Sequence, residues 1–250
     1  MTGTLAQIWR HPIKAHGFEA LLQSDVVAGQ TLPWDRTWAV THEASKDTSG
    51  AWVSCSNFTR GAKAPALMAV GALLDEDSAT LILSAPDSPD LTFRPDDPES
   101  VANFLSWVQP MVPPERAAST GLIRATGQGM TDAGDPYISV GNLNSLKALS
   151  DKVGTPLDPR RFRINFWVDG FEPWSEFDWL GRTLQIGDLT FEAKDRITRC
   201  KSTMANPDTG LRDADTLGAL DQGWGHTDFG ITLLAKTTGT VKVGNTVELS

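Results

Sequence analysis

"TLQIGDLTFEAK", residues 183–194, alternates apolar and polar side chains on both sides of a Gly-Asp turn. This alternation, interrupted by a glycine-containing turn, is typical of a β-hairpin with one buried face. Residues 240–249, "TVKVGNTVEL", repeat the pattern around a Gly-Asn turn. We therefore predict two hairpins of one β-barrel. The similarity between the two segments is too short to indicate a repeat architecture.

Strand-like runs outnumber helical ones along the rest of the chain. Two segments have helical spacing of apolar residues: 97–109, with Asp97 as cap and Pro98 in the first turn, and 143–153, which ends before Gly154. Many strands with few helices predict an α+β, β-barrel-rich fold. The further runs typical of strands, rich in β-branched or apolar residues, are 37–41, 67–74, 79–85 and 163–169.

A proline-rich segment divides the chain. "QPMVPPERAAS", residues 109–119, is weakly patterned and is the best candidate for a boundary. A chain of 250 residues is long enough for one large or two small domains. We expect a β-rich N-terminal region over residues 1–115 and a second domain over 116–250.

The composition excludes several classes of protein. The net charge of −9 disfavours a nucleic-acid-binding protein, which needs a basic face. There is no apolar run of about 18 residues that would span a membrane, and the first residues lack the pattern of a secretory signal. We therefore expect a cytoplasmic protein without nucleic-acid partners and without a membrane span.

The chain contains two cysteines, Cys55 and Cys200. Two thiols cannot supply the four protein ligands of an iron–sulfur cluster, and a cytosolic setting disfavours a disulfide between them. The nucleotide-binding glycine motifs and the HExxH zinc motif are missing from the sequence, and the spacing of the four histidines matches no zinc site. Any redox chemistry would therefore take its electrons from a separate donor.

Cys200 lies between an arginine and a lysine in "RITRCKST", residues 196–203. Such surroundings stabilise a thiolate, whereas a structural cysteine usually lies among hydrophobic residues. If the segment is a strand, Thr198, Cys200 and Ser202 share one face. The residues alone leave a chemically active and a structural Cys200 equally open, while Cys55 reads as a residue of another strand.

A second polar cluster occurs in "DPRRFRINFWVDG", residues 158–170. On a strand, Arg161, Arg163 and Asn165 would share a face. Guanidinium and amide donors on one face suit a planar or phosphorylated anion. A solvated edge with surface ion pairs explains the same pattern equally well.

Four more polar residues fit either a ligand or the fold. Lys14 follows a proline in "HPIKAHG", and Arg36 lies between two tryptophans in "WDRTWAV". Ser139 and Asn142 lie near the start of the second predicted helix, where free N–H groups bind anions readily. Taken singly, each residue is explained more simply by structure: Arg36 by stacking on an indole, and Asn142 by capping the helix.

Taken together, these short segments resemble the MOSC family, the domain related to the C-terminal part of molybdenum-cofactor sulfurase. "HPIKAHG" and "WDRTWAV" resemble its N-terminal region; "FRINFWVDG", "TRC", "NPDTG" and "GTVKVGNTVEL" resemble the MOSC domain proper. The resemblance covers nearly the whole chain, and the nearest subgroup is that of the mitochondrial amidoxime-reducing components and their bacterial relatives. It implies a β-barrel-rich MOSC domain preceded by a MOSC-associated β region.

The resemblance also implies roles for individual residues. The cysteine of the family's "RC" element is the protein ligand to molybdenum and the catalytic residue, which is Cys200 here. Arg163 and Asn165 match the "FR-x-N" element that helps to hold the cofactor. Lys14 and Arg36 match elements that bind its phosphate and pterin. The residues that fit the same pocket are Ser139, Asn142 and Thr198.

The chain departs from the family pattern at two places. Ala15 replaces the serine that usually follows the lysine of the "P-x-K-S" element. Ile231 and Thr232 follow "FG", where some relatives have a tyrosine. These differences concern substrate specificity more than cofactor binding.

The function implied by the resemblance is reduction of an N-hydroxylated or N-oxide small molecule at a molybdenum cofactor (molybdopterin with Mo). Electrons would come from a separate iron–sulfur or cytochrome b5-like donor with a reductase, and no pyridoxal phosphate is expected. Two other functions stay open. Cys200 could carry sulfur as a persulfide for metal–sulfur cluster or cofactor assembly, or the protein could be a non-enzymatic cofactor-binding module.

Overall fold

The computed structural model describes residues 2–249, which form fifteen strands and three α-helices. The helices are α1 (Pro98–Val108), α2 (Leu143–Val153) and α3 (Thr216–Trp224). In chain order the strands are β1 (Thr2–Arg10), β2 (Glu19–Leu21), β3 (Gln23–Val26), β4 (Trp38–His42), β5 (Gly71–Asp75), β6 (Thr80–Ala85), β7 (Ser88–Phe93), β8 (Ser119–Arg124), β9 (Ile138–Asn142), β10 (Phe166–Asp169), β11 (Thr183–Ile186), β12 (Leu189–Thr198), β13 (Asp228–Ala235), β14 (Gly239–Lys242) and β15 (Thr246–Leu249). The predicted barrel-rich α+β fold is confirmed.

Seven strands close into a barrel in the order β10-β9-β13-β12-β11-β15-β1. Closure occurs because β1 pairs with β10 on one side and with β15 on the other. Only the β9–β10 pair of this ring is parallel. Alternate residues of β11 and β12, such as Leu184, Ile186 and Phe191, point into an apolar interior. The first strand of the chain thus completes a barrel built mainly from its second half.

The two predicted hairpins have different outcomes. Residues 183–194 do form one, since β11 and β12 pair across a turn in which Gly187 takes a left-handed φ of 56°. The hairpin predicted for 240–249 is wrong: β14 pairs with β3, and β15 pairs with β11 and β1. Alternation reveals a buried face but does not identify the partner strand.

A second layer packs a three-stranded sheet, β5-β6-β7, and the β4–β8 pair around α1. The helix is confirmed, with Asp97 accepting a hydrogen bond from the Glu99 N–H at its start. Phe104 of α1 stacks on Phe93 of β7 at 4.6 Å between ring centroids. The strand predicted over 67–74 begins only at β5, because a 3-10 helix occupies Pro65–Ala69.

The pairing of β4 with β8 joins residues from both sides of the predicted boundary in one sheet. The division into 1–115 and 116–250 stays a prediction. Helix α2 follows the sequence closely: Asn142 accepts a hydrogen bond from the Asn144 N–H, and Gly154 ends the helix in the left-handed conformation. No helix in the described part of the chain, residues 2–249, is long and apolar enough to cross a membrane.

Candidate functional site

The Cys200 thiol lies on the surface where β12 gives way to a 3-10 helix, Lys201–Met204. The strand ends at Thr198, so the predicted strand is too long and the shared face expected for Thr198, Cys200 and Ser202 does not form. The Cys200 Sγ instead lies 3.1 Å from the Ser202 Oγ. The turn is fixed by Thr203, whose N–H and hydroxyl both donate to the Cys200 carbonyl.

Two arginines from distant parts of the chain are held by consecutive carbonyls. Arg199 Nη1 donates to the Phe162 carbonyl at 2.9 Å, and its Nε donates to Phe229 at 2.8 Å. Arg36 Nη2 donates to the Arg163 carbonyl at 2.8 Å. Burial lowers the pKa of Arg199 to about 9, and the nearby charge of Arg36 contributes to the shift. The two cations therefore lie within electrostatic reach of each other, and Arg199 also faces Cys200.

The arginine-rich segment before β10 is not a strand. Asp158 accepts a hydrogen bond from the Arg160 N–H and starts a 3-10 helix with a proline at its first position, a combination that favours a helical turn. Arg163 then takes a left-handed φ of 50°. Arg161 points away and pairs with Asp213 at 2.7 Å. The shared face predicted for Arg161, Arg163 and Asn165 is therefore wrong.

The Arg163 guanidinium enters the interior beside the cluster. Its Nη2 donates to the Ile13 carbonyl at 3.2 Å, while its Nη1 is buried and has no hydrogen-bond partner among the described residues. Burial, reinforced by the charge of Arg36, lowers the pKa of Arg163 to about 9. A buried charged donor without a partner is costly, and an anionic ligand would relieve that cost.

Lys14 adds a fourth cation to the group. Its main-chain N–H donates to the Trp38 carbonyl of β4 at 2.7 Å, and its Nζ donates to the Met130 carbonyl at 2.8 Å. The Nζ also lies 2.5 Å from the Asp132 Oδ1. Burial lowers the pKa of Lys14, and the ion pair with Asp132 opposes this shift.

Asp132 faces several of these cations at once. The charges of Lys14, Arg36 and Arg199 hold the pKa of its carboxyl below the usual range. Asp132 belongs to the glycine-containing segment 127–135, which no sequence motif marked as part of the site. It is a carboxylate of the chain itself lying in a basic cluster.

The backbone around the cluster is strained. Ala15, Trp34, Arg36 and Arg163 have left-handed φ angles of 64°, 63°, 54° and 50° without being glycines. Such positions cost about 1–3 kcal/mol each and persist only where the surrounding structure imposes them. Over residues 2–249 these are four of seven such positions. The fold accepts strain where it assembles the basic cluster.

Asp35 fixes the orientation of Arg36. The carboxylate is buried, accepts a hydrogen bond from the His11 N–H at 2.8 Å and pairs with the Arg36 guanidinium. Burial opposes ionisation, but the charge of Arg36 and the contacts with His11 hold the pKa of Asp35 well below its usual range. Sequence analysis missed Asp35, although it directly precedes Arg36 in "WDRTWAV".

Ser139 and Asn165 bond to each other. The Ser139 hydroxyl donates to the Asn165 Oδ1 at 2.8 Å and accepts from the Asn165 N–H at 2.9 Å. The Asn165 Nδ2 donates to the Trp9 carbonyl at 3.2 Å. These bonds connect β1 and β9 to Asn165, the residue before β10, and they stabilise the barrel wall next to Arg163.

Asn142 makes its contacts elsewhere on the barrel, whereas Thr198 bonds to a carboxylate that also faces Arg199. The Asn142 Nδ2 donates to the Glu172 carbonyl at 2.8 Å and to Glu176 at 3.2 Å. The Thr198 hydroxyl donates to Asp228 at 2.7 Å. The residues that the structure does bring together are Lys14, Arg36, Arg163 and Arg199, with Cys200 beside Arg199 and Cys55 near Lys14.

The second cysteine is not in a strand, contrary to the prediction. Cys55 begins a 3-10 helix, Cys55–Asn57, and Arg60 Nη1 lies 3.3 Å from its sulfur. Two open cavities, of about 390 and 600 Å³, flank α2, share Lys147 and Asp151, and do not include Cys200. Neither cavity is lined by Lys14, Arg36, Arg163 or Arg199, and we place the candidate site at the basic cluster.

Comparisons with known proteins agree with this architecture. A model of the MOSC N-terminal beta barrel domain matches residues 2–111, and a model of the MOSC domain matches residues 129–248. A comparison with curated proteins found no match.

Two solved structures resemble the chain. The YuaD protein from Bacillus subtilis is 12% identical with a TM-score of 0.47, over 100% of this chain and 96% of that one. YiiM from Geobacillus stearothermophilus is 14% identical with a TM-score of 0.34, over 45% of this chain and 53% of that one. Likenesses this weak add nothing to the assignment, which rests on the two domain models. The chain belongs to the MOSC family.

Proposed function

We propose that the protein binds a molybdenum cofactor at the basic cluster and uses it to reduce N-hydroxylated or N-oxide substrates. MOSC domains are associated with this cofactor in their family. The observation that carries the proposal is a group of four cations, Lys14, Arg36, Arg163 and Arg199, the last of which directly precedes an exposed thiol, in a chain whose net charge is −9. For an N-hydroxy substrate the balanced reaction is R–NH–OH + 2 e⁻ + 2 H⁺ → R–NH₂ + H₂O.

The residues of the cluster fit an anionic cofactor. The Nη1 of Arg163 is a buried donor in need of an acceptor. In this proposal the Asp132 carboxylate takes the place of a phosphate oxygen of the cofactor. Its Oδ1 lies 2.5 Å from the Lys14 Nζ. Charge-assisted hydrogen bonds of this kind are about twice as strong as neutral ones. Lys14, Arg36 and Arg163 would therefore hold the phosphate and the polar pterin.

Cys200 would be the protein ligand of the metal. No group of three or more His, Cys, Asp or Glu side chains within residues 2–249 is arranged to hold a metal ion. A metal bound at Cys200 would therefore take its other ligands from the cofactor, whose dithiolene sulfurs suit a soft centre as a thiolate does. When bound, the cofactor supplies two-electron redox chemistry.

The neighbours of Cys200 prepare it for this role. Arg199, held by the Phe162 and Phe229 carbonyls, places a positive charge beside Cys200. The bond between Thr203 and the Cys200 carbonyl fixes the backbone of the turn. Electrons must come from outside, since Cys55 and Cys200 are both free thiols and too few for a cluster.

The exposure of Cys200 also favours a second function. A free surface thiol next to cations can accept sulfur from a persulfide donor and pass it on, leaving the donor as a thiol. This sulfur carrier would need no molybdenum. A non-enzymatic cofactor-binding module would contain the metal but show no turnover.

One experiment separates the three functions. The chain is expressed in a host that makes the cofactor, and molybdenum and pterin are measured per chain. The loaded protein is then assayed with reduced methyl viologen and an amidoxime. We expect about one molybdenum per chain and reductase activity that Cys200→Ser abolishes and Cys55→Ser preserves. Protein without molybdenum would point to the sulfur carrier, and loaded but inactive protein to the binding module.

A further inference from the structure

Two segments of the chain meet beside Cys200 and form one surface. Arg212 Nη2 donates to the Ala62 carbonyl at 2.9 Å. A Cβ added to Gly61 would lie 3.6 Å from the Ser202 Cβ, which places the loop after residue 60 against the 3-10 helix that follows Cys200. We call this surface the Cys200 face and define it by residues 60–66 and 200–212.

The Cys200 face carries unpaired positive charge. Lys63, Lys201 and Arg212 are exposed on it. Within residues 2–249 none of the three has a carboxylate within ion-pair distance. The only side-chain bond of Arg212 that the described residues provide is to a main-chain carbonyl. A chain with an excess of carboxylates thus leaves three cations free at one place.

Nearby carboxylates do not neutralise this face, because they are already paired. Asp208 lies 2.8 Å from the Arg160 Nη2, and Asp213 lies 2.7 Å from the Arg161 Nη2. Both arginines belong to the 3-10 helix before β10, outside the Cys200 face. The paired charges leave the positive potential of Lys63, Lys201 and Arg212 uncompensated.

An apolar side chain stands among these cations. Leu211 is 69% exposed at the base of a tight turn, which the Asn206 N–H closes by donating to the Leu211 carbonyl at 2.8 Å. The turn is packed against the loop that carries Lys63, since a Cβ added to Gly210 would lie 2.6 Å from the Ala66 Cα. An apolar centre with a charged rim is the usual composition of a protein–protein interface.

We propose that the Cys200 face docks a small acidic electron-transfer protein. The inference rests on the proposed function and names its partner. Complementary charge speeds the encounter of two proteins and orients them, and this face is positive on a chain that otherwise repels acidic proteins. A donor docked here lies beside Cys200. Each substrate consumes two electrons, so a one-electron donor docks twice per turnover.

Binding is tested first, with an acidic [2Fe–2S] ferredoxin as the probe. Isothermal titration of the cofactor-free and loaded chains is carried out at about 0.01 M and about 1 M salt, between which the screening length falls from about 30 to about 3 Å. We expect binding at low salt that is lost at high salt. Lys63→Glu/Arg212→Glu should weaken it at least tenfold. The matched control Lys152→Glu/Lys242→Glu, two exposed cations elsewhere on the fold, should change it less than twofold.

Turnover distinguishes this proposal from the one on which it rests. The Lys63→Glu/Arg212→Glu variant should slow ferredoxin-driven reduction of an amidoxime and leave methyl-viologen-driven reduction unchanged. No turnover of the loaded wild type with methyl viologen would refute the proposed function. Equal ferredoxin binding by both double variants, or none by the wild type at low salt, would refute the docking surface. Sedimentation showing that the charge reversals break a homodimer would assign the face to a second copy of the chain.

Discussion

Replacing Asp132 with asparagine removes a carboxylate that faces Lys14, Arg36 and Arg199 while keeping the size of the side chain. The contact with the Lys14 Nζ, at 2.5 Å, becomes an ordinary amide contact. If Asp132 stands in for the phosphate of the cofactor, an incoming anion must displace it from Lys14. The neutral asparagine of the variant would no longer compete with the incoming anion for Lys14.

The magnitude follows from the position of this ion pair. Lys14 is buried with 6% of its side chain exposed, whereas Asp132 is 75% exposed. A fully exposed pair contributes about 0.2–1 kcal/mol and a hydrogen bond to a charged group about 1.5–3 kcal/mol. We take about 1.4 kcal/mol for this half-buried pair, which corresponds to a tenfold change in an equilibrium constant. Asp132→Asn should therefore raise anion affinity about tenfold and lower the stability of the cofactor-free chain by about 1–2 kcal/mol.

Pyrophosphate serves as the probe for the phosphate of the cofactor. Titration calorimetry of the cofactor-free chain gives the affinity, and urea unfolding with and without pyrophosphate gives the stability. Asp135→Asn, in the same loop, is the control for anion binding and should leave the pyrophosphate affinity at the wild-type value. Unchanged or weaker pyrophosphate binding by Asp132→Asn would refute the stand-in role of this carboxylate.

Three further predictions concern single side chains. Arg163→Ala should lower cofactor occupancy about tenfold with the circular dichroism unchanged, because it removes the buried Nη1 that lacks a partner; molybdenum content equal to wild type would contradict this. Burial raises the pKa of Glu176 from 4.5 to about 7. Its ionisation therefore lowers the free energy of unfolding by about 3 kcal/mol, and this loss of stability develops as the pH rises from about 4.5 to about 7. Glu176→Gln should flatten the pH dependence of urea unfolding over this interval, and an unchanged slope would count against the assignment. Cys55→Ser should keep reductase activity within about twofold of wild type, and its loss would place Cys55 in the reaction.

Local signals in the sequence predicted the local structure. The hairpin at 183–194 and both long helices carry their own turn or capping residues, such as Asp97, Asn142 and Gly154. The partner of β15 could not be predicted, since its pairing with β1 joins the two ends of the chain. The strands predicted at the site were too long, because β-branched and apolar residues there lie next to turn-forming ones.

The candidate site was predicted in its residue types but not in its geometry. Resemblance to the family supplied Lys14, Arg36, Arg163 and Cys200. Asp132 was missed because it reaches Lys14 across 118 positions of the chain and belongs to no motif. The left-handed backbone at Arg36 and Arg163 depends on tertiary contacts that only the folded chain provides.

The most direct test of the account is X-ray absorption at the molybdenum edge, on protein from a host that makes the cofactor. We expect three sulfur ligands in the wild type, one from Cys200 and two from the dithiolene, and two in Cys200→Ser. Cys55→Ser should keep all three. Identical sulfur counts in the wild type and Cys200→Ser, or no molybdenum in the wild type, would contradict the assignment of Cys200 as the metal ligand.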